Sequence, residues 1–252
     1  MEAESGIRVL SRALDILESF SETTPEMTLM ELTEKSGLST STVHRILRAL
    51  EQREYLSRNE DTKRYSLGPR IEYLSGLTHS KPEADLRVKA REALTELRNQ
   101  FDESVSLYVR EDAYRVCMER MEGGQTLRSV VNIGERMSVK WGGTGKILMA
   151  GMADEELREL LGDEYDSIIK DVERARKQGY WVSNGERETG LTSIGAPVYN
   201  VAGTVIAAIG LSGPSGRMID EHLTEKVLAV VEQARKLSRK MGYYTKTQMM
   251  PE

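Results

Sequence analysis

A single cysteine, Cys117, stands in 252 residues, so no disulfide can close within the chain and no cysteine cluster can hold a metal. No run of about eighteen apolar residues is present, which excludes a membrane-spanning helix. The start, Met1-Glu-Ala-Glu-Ser-Gly6, is acidic and has no apolar stretch of the kind a secretory signal needs. The three histidines, His44, His79 and His222, are too far apart to form a ligand pair one helical turn apart. Repeats and low-complexity tracts are lacking. What is left is a globular chain suited to a reducing cytoplasm, long enough for one large domain or two modest ones, with no cofactor expected.

A basic surplus is also lacking: 35 Lys and Arg stand against 40 Asp and Glu, for a net charge of -5. That total argues against a nucleic-acid partner. The distribution argues the other way. Residues 1–43 carry three basic side chains against eight acidic ones, whereas residues 44–70 carry seven (Arg45, Arg48, Arg53, Arg58, Lys63, Arg64, Arg70) against four.

Hydrophobic spacing places an amphipathic helix over 7–20. Thr28-Leu-Met-Glu31 has the form of a capping box that opens a short helix over 28–36, and Gly37 sits where a helix end needs a positive φ. Ser39 caps a third helix running through Val43, Ile46, Leu47 and Leu50 to about Arg53. Two short strands, 55–58 and 64–67, flank a polar turn. This order is that of a winged helix-turn-helix over 1–68. Pro69 then opens a linker helix at 70–77, and a polar hinge at 78–82 completes a connecting segment of 69–82. In the third helix, Ser39, Thr40, Ser41, Thr42, His44 and Arg45 fall before or off the apolar stripe, where a recognition helix meets base edges and phosphates. Lys63 and Arg64 sit at the wing, placed for phosphate or minor-groove contact. The plain alternative is a solvated, capped helix followed by a charged hairpin.

Beyond the hinge, Leu86, Ala90, Leu94, Leu97 and Phe101 mark a long helix. Strands are expected at 105–109, 114–121, 126–132, 191–199 and 204–212, and helices at 144–151, 154–161, 167–178 and 220–241. A hairpin through Asn200-Val-Ala-Gly203 indicates an antiparallel sheet, hence an α+β domain over 83–252. Trp141-Gly-Gly-Thr-Gly-Lys146 invites a phosphate-loop reading but fails it: the first glycine of that motif would fall on Lys140, and Ile147 follows the lysine. The milder reading is a helix N-terminus, starting near Thr144, whose free amides suit a carboxylate ligand; the plain one is a glycine-rich turn packed on a sheet. Cys117 reads as a small buried hydrophobe, and the segment around Ser193 lacks a nucleophile elbow.

The chain resembles the IclR family of bacterial transcriptional regulators. The likeness rests on Val9-Leu-Ser-Arg-Ala-Leu-Asp-Ile-Leu17, Gly37-Leu38, Ser41-Thr-Val-His-Arg45 and Arg64-Tyr-Ser-Leu-Gly68 in the first part. In the second it rests on Gly145-Lys146, Gly179-Tyr180, Gly190, Ala196-Pro-Val198 and Leu211-Ser-Gly-Pro214. The resemblance implies an N-terminal winged helix-turn-helix joined by a linker helix to a GAF-like α+β effector-binding domain. It also implies a homodimer or dimer of dimers on a palindromic double-stranded operator, acting as repressor or activator under a small-molecule effector such as a small organic acid. By the same resemblance the effector would touch Met137, Gly143, Thr144, Ser183, Leu191, Ser193, Gly210 and Ser212, with Trp141 narrowing the pocket or stacking on a flat ligand. Many members carry aspartate at the position of Ser183 and cysteine at that of Ser193. Two hydroxyls instead make a pocket less suited to a metal and less repulsive to an anion, although Glu186 and Glu188 are close in sequence. The alternative is an enzyme built on a GAF-like domain with an N-terminal interaction module; the absence of a paired acid and base or an activated nucleophile weighs against it.

Overall fold

In a computed structural model the described residues are 2–21, 23–78 and 82–244, and the chain divides into two units, 1–82 and 83–252. The interior of the hinge expected at 78–82, including His79, lies outside the described residues, as do Met249 and Met250.

The first unit contains α1 (Glu2–Leu17), β1 (Glu26–Met27), α2 (Leu29–Ser36), α3 (Thr40–Gln52), β2 (Leu56–Arg58), β3 (Tyr65–Leu67) and α4 (Pro69–Thr78). The capping box forms as the sequence requires: the Thr28 amide donates to Glu31 Oε2 at 2.6 Å and the Glu31 amide to Thr28 Oγ1 at 3.3 Å. Gly37 ends α2 with φ +65°. The strands pair antiparallel in the order β1-β3-β2. In the wing turn the Asn59 side chain accepts from the amides of Asp61 and Thr62 at 2.9 and 3.0 Å. Ile16, Phe20, Leu32, Val43, Leu47, Leu56 and Tyr65 form the core, each large aliphatic side chain contributing about 1.5–3 kcal/mol by leaving water. The first helix begins earlier than the apolar spacing indicated, and much of its stripe is not covered: Val9, Leu10 and Leu14 are 46%, 61% and 48% exposed.

The second unit contains α5 (Pro82–Phe101), β4 (Ser104–Glu111), β5 (Tyr114–Met121), β6 (Arg136–Ser138), α6 (Gly143–Ala150), α7 (Asp154–Leu161), α8 (Tyr165–Gln178), β7 (Trp181–Asn184), β8 (Leu191–Tyr199), β9 (Val205–Pro214), α9 (Ser215–Met218) and α10 (Leu223–Lys240). The strands form one antiparallel sheet ordered β6-β5-β4-β9-β8-β7. The expected β8–β9 hairpin closes through Asn200, whose amide donates to Thr204 O at 3.0 Å.

Side chains alternate across the pleat, and this decides where the site lies. Val105 and Leu107 of β4, Ile194, Ala196 and Val198 of β8, and Ile209 and Leu211 of β9 pack under α5 and α10. Their alternates face the other way. Tyr108, Cys117 and Ala208 pack with Ile147 and Leu148 of α6 and Ala175 of α8, and the smaller or polar alternates lie beside them. Gly195 and Gly210 allow α6 to approach the sheet: a Cβ on Gly195 would lie 2.6 Å from Gly143 C, and one on Gly210 2.6 Å from Thr144 Cγ2.

One expected strand fails. The segment 126–132 is not a strand. Its carbonyls are taken by side chains rather than by a neighbouring strand: Ser104 Oγ donates to Ser129 O at 2.6 Å, Arg217 Nη2 to Leu127 O at 2.8 Å, and Arg120 to Val131 O. Conversely, the spacing indicates no strand at β1, β6 or β7, whose two to four residues are too few for a visible alternation.

Candidate functional site

Two places gather the residues singled out in the sequence. The first is the outer face of α3. Val43, Ile46 and Leu47 are buried, which turns Thr40, Ser41, His44, Arg45 and Arg48 to solvent. Ser39 makes no side-chain bond to a helix amide; its Oγ lies 3.2 Å from Ser41 Oγ and 2.9 Å from Thr42 Oγ1, a small hydroxyl cluster at the helix N-terminus. Neither Arg45 nor Arg48 makes an ion pair among the described residues.

The wing is less free than its sequence suggests. Lys63 is exposed at the turn with φ +56°, and its ammonium donates to Glu60 Oε2 at 3.1 Å. Arg64 instead reaches back to Glu26 O at 3.0 Å and to the Glu31 carboxylate at 3.3 and 3.4 Å. That carboxylate is held below its ordinary value by bonds from Thr28 first and by Arg64 after them. Arg64 therefore ties the wing to the capping box of α2. The exposed Arg58, over the Tyr65 ring at 5.6 Å, is a wing cation that sequence reasoning passed over.

The second place is a cavity between α6 and the sheet face opposite α5 and α10. Its walls include Thr144, Ser183, Leu191, Ser193, Gly210 and Ser212, together with Tyr108, Ser129, Gly142, Arg115 and Arg187. The free space between these walls is small, about 20 Å³, room for one or two water molecules, so a larger ligand enters only where side chains at the mouth give way. Met137, Gly143 and Trp141 stand at the margin. Met137 Sδ accepts from Arg187 Nη1 at 3.1 Å. Gly143 turns its Cβ position onto the β8 backbone, 2.8 Å from Ser193 O, and its amide donates to Ser193 Oγ at 2.9 Å. The Trp141 ring is 43% exposed and lies over Lys146 Nζ at 5.6 Å.

The α6 N-terminus is accordingly not an open cradle. The Gly142 amide donates to Glu186 Oε2 at 3.2 Å, and the Gly143 amide is used by Ser193. Lys146, buried, donates to Glu186 Oε2 at 3.0 Å and to Lys140 O at 2.8 Å, so it is turned away from any phosphate role. Burial pushes the Glu186 carboxyl up, but hydrogen bonds from Trp181, Lys146 and Gly142 outweigh burial and hold it below its ordinary value.

The positive charge in the cavity comes first from Arg115, a residue that nothing in its local sequence marks. It is 3% exposed. Nη1 donates to Trp141 O, Nη2 has only the weak thioether acceptor of Met137 at 3.9 Å, and buried Nε has no hydrogen-bond partner. The Tyr108 ring lies 5.4 Å from its Cζ. Burial, and Arg187 nearby, push its pKa down from the ordinary value; a guanidinium remains charged even so. Cys117, beneath the same face, is fully buried, and burial pushes its thiol up to about 11, as suits packing rather than reactivity. No group of His, Cys, Asp and Glu among the described residues could hold a metal ion, and no described helix is long and apolar enough to cross a membrane.

Comparison with known proteins matches two family models: the IclR helix-turn-helix domain over residues 9–60 and the bacterial transcriptional regulator IclR C-terminal domain over 79–239. The chain is 30% identical to the HTH-type transcriptional regulator BhcR of Paracoccus denitrificans, covering 94% of this chain and 88% of that one. It is 29% identical to the HTH-type transcriptional regulator XynR of Escherichia coli, covering 94% and 98%. Among solved structures, Pseudomonas aeruginosa HmgR superposes with a TM-score of 0.79 at 26% identity, over 94% of this chain and 98% of that one.

Proposed function

This chain belongs to the IclR family of bacterial transcriptional regulators, and we propose that it works in the cytoplasm as a dimer or dimer of dimers on a palindromic operator, gated by a small carboxylate effector. The observation that carries this reading is the solvent face of α3, where hydroxyls, His44 and two arginines without ion pairs among the described residues stand off the buried stripe. Short hydroxyls at a helix N-terminus allow close approach to phosphates and base edges, and Arg45 has a free fork for guanine. Lys63 supplies a phosphate contact at the wing; Arg64 contributes by holding the wing in place. The uncovered apolar residues Val9, Leu10 and Leu14 favour self-association through α1, because a stripe of this kind is normally buried. A two-fold pair of recognition helices reads a palindrome.

The effector reading rests on the cavity under α6. Arg115 and hydroxyls from Ser193, Ser212, Ser183 and Thr144 converge there, the donor set of an anion site rather than of a hydrolase. The first unit is the DNA-binding domain, α4 the linker, and the second unit the effector domain. The test is selection of bound fragments from sheared genomic DNA by the full chain, followed by mobility shift. Enrichment of one palindromic promoter fragment, lost in Arg45→Ala, is the expected result. No enrichment, or an enrichment that survives Arg45→Ala unchanged, overturns it.

A further inference from the structure

The cations of the cavity outnumber the anions available to balance them. Arg115 has no ion pair among the described residues. Glu186, the acid whose charge reaches Arg115, is already held by Lys146, Trp181 and Gly142. Arg187, the second cation, has among the described residues only Glu188 for an ion pair, at the 4.0 Å limit, and that carboxylate is 73% exposed, a pair of little worth in water. A buried guanidinium left unbalanced costs several kcal/mol, and two beside each other repel. This is an arrangement that a folded chain tolerates where a ligand completes it.

The donors also have a direction. With Nη1 of Arg115 committed to Trp141 O, the edge formed by Nε and Nη2 is left unsatisfied: Nε is shielded from water and has no acceptor, and Nη2 has only a thioether. That edge is one of the two forks by which a guanidinium takes a carboxylate through parallel bonds. The Tyr108 ring at 5.4 Å holds the guanidinium in place. Arg115 Nη2 and Arg187 Nη1 approach the same Met137 sulfur, at 3.9 and 3.1 Å, so the two charges stand close together beside one cavity.

We propose that the effector is a short dicarboxylate: one carboxylate lies on the Nε–Nη2 edge of Arg115, the other meets Arg187, and the hydroxyls of Ser193 and Ser212 receive what lies between. The inference rests on the carboxylate reading above and narrows it. Arg115 sets affinity for the first acid group, which any carboxylate would satisfy. Arg187 sets the preference for a second.

The test titrates the full chain, by calorimetry and thermal shift, with length-matched pairs: malonate and propionate, succinate and butyrate, glutarate and valerate. In the native protein the best diacid is expected to bind about tenfold or more tighter than its matched monoacid, the scale of one desolvated ion pair. Arg187→Gln, at a position about a quarter exposed, brings that ratio close to one by lowering diacid affinity more than monoacid affinity. Arg115→Lys keeps the charge but removes the fork, and lowers affinity for both members of each pair alike. Circular dichroism and the melting temperature without ligand check that each variant folds. A monoacid that binds the native protein as tightly as its diacid, or a ratio untouched by Arg187→Gln, overturns the dicarboxylate assignment and leaves the carboxylate site standing. If none of the six acids binds, the carboxylate reading fails and takes this inference with it.

Discussion

Arg45 in the first unit and Arg115 in the second both lack an ion pair among the described residues, yet they are opposite cases. Arg45 stands in water on α3. Its charge is solvated, costs the fold nothing, and is ready for a polyanion whose contacts weaken as salt rises. Arg115 is 3% exposed, with an orphaned Nε; it carries a desolvation cost that the fold alone does not recover. The stability of the first unit is therefore expected to be indifferent to ligands, whereas that of the second depends on what fills its cavity.

The largest effect expected is that of Gly143→Leu. A side chain there meets the β8 backbone at 2.8 and 2.9 Å, which cannot give as a flexible side chain would. Overpacking of this kind costs about 3 kcal/mol, seen in calorimetry as a lower melting transition for the second unit. If the variant melts with the parent and only ligand binding is lost, α6 sits farther from β8 than described. Next in size is Arg45→Ala, which should weaken specific operator binding by about 1–3 kcal/mol with no change in melting. Equal affinities for parent and variant at moderate salt would remove Arg45 from the interface and erase one side of the comparison.

The wing gives a smaller and more discriminating pair. Lys63→Ala should lower affinity for every DNA sequence alike and reduce the salt slope by about one contact. Arg64→Ala should leave that slope alone, because its guanidinium is committed to Glu31 and Glu26 O. A lost slope unit in Arg64→Ala would show that it exchanges its partners for phosphate on binding. Smallest is the pH effect of Glu186. Its carboxyl is held below the ordinary value despite burial, so its contribution to stability is complete above the unfolded pKa of about 4.3 and is lost as pH falls through the lower folded value. Melting temperatures of Glu186→Gln should fall less steeply than those of the parent below about pH 5. Parallel curves would contradict the Lys146–Glu186 link.

Much of the first unit was legible because its signals are local. Thr28 and Glu31 are three residues apart, Gly37 ends the helix they open, and the Val43–Ile46–Leu47 stripe is contained in a single helix. The tie of Arg64 to Glu31 was not legible, because the two are 33 residues apart and no local pattern marks it. In the second unit, Thr144, Ser183, Leu191, Ser193, Gly210 and Ser212 were reached through family resemblance and do line one cavity. Arg115 was invisible: in Tyr114–Met121 it is one of three charged residues, and only the fold shows that it is buried on the face under α6. The failed strand at 126–132 belongs to the same class, since its carbonyls are claimed by Ser104, Arg120 and Arg217 from elsewhere in the chain.

Gating requires that the cavity of the second unit and α3 of the first be coupled. The most direct measurement is the operator affinity of the full chain, by mobility shift, with and without a saturating concentration of the acid that most raises its melting temperature. A ligand moves a two-state equilibrium only by its differential affinity for the two states. The expected result is a change of about fivefold or more in operator affinity, in either direction, which Arg115→Lys suppresses while its affinity without ligand stays at the parent value. An operator affinity that does not move when the ligand saturates the cavity would contradict the account.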